Sequence, residues 1–320
     1  MAGDAPAPYV LGVTGGTVAV REDLSDVITM ISPYETPLLS AFKSGSCTQT
    51  KHEWLQDALT PPSAINAVLE GSDASNDTIK VRTRLDNECQ IVRKVVQVSD
   101  TLRVVDNAGV NDEYDYQVQV KLKELGLDIE YAILNGVKAA RGVSTPGQMD
   151  GVLATIATNK VNMAGGAITE QCLNDAIEMA WVAGGNPSQV FAPASTKRSI
   201  SLFTGPGMRT QEIKGDHKLV VTVDVYESDF GTVEIHPHRL LPYTQPTTGP
   251  GALTAANNNT LVLDMTHWTV AWLRRITDTE LARTGSSKRG MIEGELTLEG
   301  RAEKASAVIT NYVNVAAPSA

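Results

Sequence analysis

Leu24, Val27, Ile28 and Ile31 fall at i, i+3, i+4 and i+7, one apolar stripe on a short helix. Ser32-Pro33 must end it, because proline pushes the preceding residue out of the helical region. Thr36-Pro37 restarts the chain as a cap followed by a first-turn proline, and Leu38, Leu39 and Phe42 continue the apolar side. After Gly45 the period drops to two. Thr48, Thr50, His52 and Trp54 alternate with Gln49, Lys51 and Glu53, which predicts a strand. Further strand-like runs at 79–85 and 90–98 follow a long polar loop containing Pro61, Pro62, Gly71 and Asn76. Loops of that length are usually functional or disordered. Arg82, Arg84, Arg93 and Lys94 interleave with the apolar positions of these runs, so at least one face is polar. A two-stranded ribbon of this kind is only marginally stable alone, and is expected to lie on another subunit.

The longest helical pattern covers 111–136. Asn111 is the expected cap, Asp112 and Glu113 occupy the first turn, and Asn135-Gly136 forms the stop. Tyr114, Val118, Leu122, Leu125, Ile129 and Ile133 recur at spacings of three and four. Some 25 residues of helix reach about 37 Å, which suits a spine; an ordinary amphipathic surface helix is the alternative. Gly126 in its middle lowers helix propensity and marks a candidate for close packing. A Gly-, Thr- and Asn-rich connection at 142–166 is the best domain boundary. Beyond it Thr169 caps a helix whose Leu173, Ala176, Ile177, Ala180 and Trp181 form one face, ended by Gly184-Gly185-Asn186-Pro187. A short buried strand at 189–195, a helix through Lys197 and Ile200, and a hairpin turning at Ser228-Asp229-Phe230-Gly231 come next. A buried strand at 260–265, an apolar covered segment at 268–275, an alternating strand at 291–300 and the closing run 304–312 complete the pattern. The fold class is α+β.

The 320 residues suffice for two lobes, and aromatic residues at 5% mean that their interiors are built from small and β-branched side chains in thin layers. A net charge of −10 argues against a dedicated nucleic-acid binder, whose phosphate contacts need clustered Lys and Arg. Cys47, Cys89 and Cys172 lack CxxC spacing and read as reduced thiols in a cytosolic setting. The first residues lack a basic, then apolar, leader, and no run of about 18 apolar residues occurs, so no membrane association is expected. Residues 1–22 hold too little apolar mass to order without a partner.

No GxxxxGK[ST], GxGxxG or GxSxG motif occurs, and His52 in HEWLQ lacks the second histidine of a zinc-hydrolase helix. His236 and His238, two apart in a strand, would share a face with Asp224 nearby as a metal site; plain surface or packing histidines are favoured. Arg82, Arg84, Arg93 and Lys94 are a solvated strand face, a contact with an acidic neighbouring subunit or, least, a nucleic-acid ribbon. Trp54 is either core or an inter-subunit anchor.

Four ordered blocks carry a family resemblance: residues 23–59, VFAPASTKRSIS, VDVYESDFGTVEIHPHRLLP and LARTGSSKRGMIEGELTLEGRAEKA. Together, over 23–305, they resemble the major capsid proteins of tailed bacteriophages, which have the Hong Kong 97-like capsid fold. The resemblance implies an N-terminal arm at 1–46, an extended loop at 47–101, a peripheral domain with the spine helix at 102–168 and an axial domain at 169–273. Residues 274–320 would return to the peripheral domain and end in a C-terminal tail. It implies a structural protein, not an enzyme, that needs no cofactor and self-assembles into the hexamers and pentamers of an icosahedral head enclosing double-stranded DNA. A bacterial nanocompartment shell of the same fold is the alternative; a monomeric α/β enzyme and a tail component are more distant ones.

The implied partners are further copies of the chain, a separate scaffolding protein, a portal, a decoration protein in some heads, and packaged DNA held without sequence-specific contacts. No long charged helical stretch precedes the arm, so the scaffolding segment that some relatives fuse to the N-terminus is expected to be absent or already removed, and no lysine–asparagine pair stands out for covalent cross-linking. The implied location is the virion, with assembly in the host cytoplasm. Expected inter-subunit contacts are Leu24, Ile28, Ile31 and Leu38 on the arm, the anchor Trp54, and Arg82 and Arg84 meeting Asp112, Glu113 or Glu124 on an adjacent spine.

Overall fold

The computed structural model describes residues 35–74, 79–105, 109–110, 112–201, 203, 224–241, 243–244, 254–255 and 258–313. The expected arm helix, with Leu24, Ile28 and Ile31, lies outside the described residues, as do Asn76 and Asn111. The elements are α1 (Pro37–Ala41), β1 (Lys43–Ser46), β2 (Lys51–Gln56), β3 (Thr83–Glu88), β4 (Gln90–Ser99), α2 (Asp100–Val104), α3 (Glu113–Asn135), α4 (Val152–Thr155), β5 (Lys160–Asn162), α5 (Glu170–Val182), β6 (Gln189–Ala192) and α6 (Ala194–Ile200). Then come β7 (Val225–Ser228), β8 (Gly231–Pro237), β9 (Tyr243–Thr244), β10 (Thr254–Ala255), β11 (Asn258–Leu263), β12 (Trp268–Glu280), β13 (Ser287–Gly300) and β14 (Ala307–Tyr312).

Two sheets organise them. The first has four strands in the order β1-β12-β13-β4, with α3 laid across β4 and β13. Alternation in β13 decides its faces: Ile292, Leu296 and Leu298 point into the core shared with α3, while Glu293, Glu295, Thr297 and Glu299 point to the opposite side. The second sheet has six strands in the order β5-β14-β11-β6-β8-β7 and is covered on both faces. Val190, Ala192, Val262, Ala307 and Ile309 pack with α5, whereas Phe191, Leu261, Leu263 and Val308 join the core beneath α3. The period-two alternation of its strands therefore places two apolar sides, and the sheet separates two cores.

The spine is capped by Asp112, whose side chain accepts the Tyr114 N–H at 2.8 Å; it was expected to start one residue earlier. Tyr114, Leu125, Ile129 and Ile133 are buried as the stripe requires, but Leu122 is nearly half exposed. Gly126 is not a tight contact: a Cβ there would sit 3.7 Å from Thr36 Cγ2, ordinary van der Waals distance. Thr169 caps α5 by accepting the Cys172 N–H, and Gly184 and Gly185 close it, donating to Trp181 O and Ala180 O with Gly184 at φ +92°. That double bond is the Schellman stop, which glycine adopts without a Cβ penalty.

Within the 142–166 connection Met149, Val152 and Ile156 are fully buried beside α3. Two expectations change. Trp181 sits at the edge of the α5 apolar face, half exposed against Phe230. Finally, β4 belongs to the four-stranded sheet, so Arg93 and Lys94 lie on opposite sheet faces: Lys94 reaches Asp128 of α3 at 2.6 Å and Arg93 pairs with Glu293.

Candidate assembly interface

The projecting part of the chain is the hairpin of β2 and β3, paired in register from Lys51 opposite Glu88 to Gln56 opposite Thr83. Side chains of opposite charge face one another along it. Lys51 lies 3.3 Å from Asp86, Arg84 pairs with Glu53, and Arg82 reaches Asp57 at 3.2 Å. Lys138, just past the spine, holds Asp86 at 2.6 Å and moors the hairpin root; its ammonium keeps the Asp86 carboxyl below the usual range. Beyond the strands the chain carries large apolar side chains in the open: Leu59, Ile65, Val68, Leu69, Ile79 and Val81 are each more than four-fifths exposed. Such a concentration on one projection marks a surface that a partner covers. Ile79 and Val81 were expected in a strand over 79–85, but β3 begins only at Thr83 and leaves both in the loop. Leu59, Ile65, Val68 and Leu69 follow no period, and their presence inside a Pro- and Ser-containing loop was the available signal.

The expected contact residues fall into two groups. Leu38 is fully buried in its own subunit's core instead of covering a neighbour, held there because its amide and that of Leu39 bind the Glu130 carboxylate at 2.8 Å each. Arg82 and Arg84 remain mostly exposed, yet already have in-chain partners. Among the described residues no ion pair joins them to Asp112, Glu113 or Glu124. Asp112 pairs with Arg103 at 3.4 Å, Glu113 accepts from Gln117 at 2.7 Å, and Glu124 accepts from Lys121. The Tyr114 amide, ahead of Arg103, lowers the Asp112 carboxyl from its ordinary value. Trp54 is half buried at the hairpin root, tilted against His52 at 5.7 Å, and its Nε1 finds no hydrogen-bond partner among the described residues.

Two polar constructions support this frame. At the arm root, Glu130 of α3 accepts from the first turn of α1 and from His238 Nε2 at 2.8 Å, while His238 Nδ1 accepts the Leu240 N–H. Both side chains are completely buried. His238 is thus the packing histidine that the sequence favoured over a metal ligand, while Glu130 was not singled out, though a glutamate between Ile129 and Ala132 interrupts an apolar stripe. Across the outer face of the four-stranded sheet runs an ionic ladder. Arg93 and Arg274 bracket Glu293, Arg274 and Arg141 bracket Glu295, and Arg301 pairs with Glu299. Arg93, followed by Arg274, holds the Glu293 carboxyl below its ordinary range.

The residues considered for metal do not converge. Asp224 is taken by Lys197 at 2.6 Å, His238 by Glu130, and His236 lies beside Glu234. Among the described residues no cluster of three or more ligating side chains occurs.

A spine helix over a four-stranded sheet, a second sheet with its own helical cover and a projecting hairpin together define the Hong Kong 97-like fold of capsid and shell proteins. Solved structures with this architecture include the capsid of a native GTA particle, with TM-score 0.65 and 12% identity over 94% of this chain and 98% of that one. Mycobacterium phage Ogopogo gives TM-score 0.62 and 14% identity over 92% and 97% of the two chains. The holo-SrpI encapsulin complex from Synechococcus elongatus PCC 7942 gives 0.58 and 13% over 92% of each. The SU10 major capsid protein family matches residues 11–313, and the chain belongs to that family. The major capsid protein of Escherichia phage Phieco32 is 39% identical over 109 residues, a match spanning 34% of this chain and about a third (31%) of that protein.

Proposed function

We propose that copies of this chain form the hexamers and pentamers of an icosahedral phage head that encloses double-stranded DNA. The reading is carried by the family match across residues 11–313. Membership of a capsid family implies self-association, a place in the virion and a structural role. The loop supplies a physical means: its open apolar side chains gain burial only when another subunit covers them. In this reading the arm residues Leu24, Ile28 and Ile31 and the loop residues Trp54, Arg82 and Arg84 meet neighbouring subunits, with Asp112, Glu113 and Glu124 as acidic counterparts on the adjacent spine. Subunits assemble in the host cytoplasm on a separate scaffolding protein, around a portal, and a decoration protein can bind the finished surface. DNA is confined without sequence-specific contacts, because a chain of net charge −10 repels the phosphate backbone over most of its surface.

The similarity to an encapsulin favours one second reading, a nanocompartment shell. Electron microscopy of the chain expressed alone and with its scaffolding partner tests both. Closed shells or capsomer rings are expected, and a persistent monomer under both conditions would overturn the proposal. Shells that carry cargo proteins in place of packaged DNA during infection would move the assignment to the nanocompartment.

A further inference from the structure

We propose that Cys47 and Cys89 form a redox-modification site, at which a small-molecule disulfide converts the thiol pair into an intramolecular cystine that staples the root of the extended loop. The two sulfurs lie 3.6 Å apart, in a small apolar cluster with Ala271 that Leu273 edges. A disulfide requires an S–S separation of about 2.0 Å, so the sulfurs close by about 1.6 Å. The backbone on both sides is already tied down. Cys47 donates its amide to Trp272 O at 3.1 Å, continuing β1 beside β12, and Cys89 donates to Thr50 O at 2.8 Å where β3 passes into β4. Arg141 holds the Cys89 carbonyl at 2.9 Å. The cystine would therefore connect the strand entering the hairpin to the strand leaving it, closing the loop at its base.

The site distinguishes the two sulfurs. Cys47 lines a cavity of about 530 Å³ shared with Thr48, Gln49, His52, Trp54 and Arg84, while Cys89 is fully buried behind it. Cys47 is thus the sulfur that an incoming disulfide meets. Its thiolate attacks RSSR, forming a mixed disulfide and releasing RS⁻, which takes up the Cys47 proton. Cys89 sulfur then attacks the Cys47 sulfur and expels the second RS⁻, which takes up the Cys89 proton. Two thiols are oxidised to one cystine and one RSSR is reduced to two RSH. Burial raises both thiols, Cys89 to about 12, so few thiolates are present at neutral pH and exchange is slow. The pair stays reduced in a thiol-rich cytoplasm and oxidises gradually outside it. Only that physiological setting rests on the capsid reading; bond formation is a property of the single chain.

The test uses the purified full-length, unassembled chain, incubated with oxidised glutathione, alkylated, digested and analysed by mass spectrometry. A linked peptide joining Cys47 to Cys89 is expected, with an upward shift of the unfolding temperature on the order of 5 °C that dithiothreitol reverses. The shift should persist in Cys172→Ala and vanish in Cys47→Ala. Recovery of Cys47 and Cys89 as alkylated or singly glutathionylated peptides, or linkage through Cys172 or between chains, would overturn the site. A Cys47–Cys89 bond without any change in unfolding temperature would overturn its role as a staple. Either result stands whether or not the chain forms shells.

Discussion

Glu130 is the residue on which the arm root depends. A carboxylate in an apolar interior costs several kcal/mol unless donors replace its water, and here three do: the amides of Leu38 and Leu39 and the ring of His238. The tautomer follows from the contacts. His238 Nδ1 accepts the Leu240 amide, so the proton on the ring sits at Nε2 and is donated to Glu130. One side chain thereby joins α1, α3 and the segment after β8. Glu130→Ala would leave those donors buried and unpaired and should destabilise the subunit by about 3–5 kcal/mol. Glu130→Gln keeps one acceptor oxygen but turns an amide group toward another donor, so its cost should fall between wild type and alanine. Urea unfolding midpoints at constant m-value read both; an unchanged midpoint for the alanine variant would show that the carboxylate is dispensable.

At the scale of elements, the hairpin and its open loop couple charge and apolar surface, and magnitudes say which matters more for assembly. Exposed ion pairs such as Arg82–Asp57 are worth at most about 1 kcal/mol, whereas covering one large aliphatic side chain contributes about 2 kcal/mol. Leu59→Ser and Val68→Ser should each raise the concentration needed for assembly roughly 30-fold at most, with little change in monomer stability. Arg82→Glu should do less. Light scattering of assembly against protein concentration gives the ranking, and an Arg82→Glu effect larger than that of Leu59→Ser would reverse it. These elements also show what was legible in the sequence. Local periodicity and caps revealed α3, α5 and the β7–β8 hairpin, because i, i+3, i+4 spacing and the Thr169 and Gly184 signals act within a few residues. Periodicity misplaced Trp181, which lies one step around the helix from the buried stripe, and Leu122, which shares the stripe's side of the helix yet stays nearly half exposed. The neighbours of β14, namely β5 and β11, and the Glu130–His238 contact were illegible for a different reason. Each joins residues far apart in the chain, and no local pattern encodes a partner 45 or more positions away.

At the scale of the molecule, the outer face of the four-stranded sheet sets how the subunit responds to acid. Glu293 is held ionised by Arg93 and Arg274, and Asp86 by Lys138 and Lys51, so both carboxyls titrate below their ordinary values. Lowered folded-state values mean that the unfolded chain binds protons first. The stability these groups contribute is fully present above an unfolded-state value of about 4, and is lost as pH falls through that value and then through the lower folded-state ones. Asp86 adds a mechanical consequence, since its bond to Lys138 moors the hairpin to the end of the spine. Protonation should therefore loosen the loop root along with the sheet, in the part of the subunit that the assembly proposal assigns to neighbour contacts. Unfolding temperatures measured between pH 7 and pH 3 should show no slope from these groups above about pH 5 and a steep decline below about pH 4. Asp86→Asn and Glu293→Gln should lower the unfolding temperature at pH 7 and flatten the acid limb. An acid limb as steep in the double variant as in the wild type would assign the response to other carboxylates.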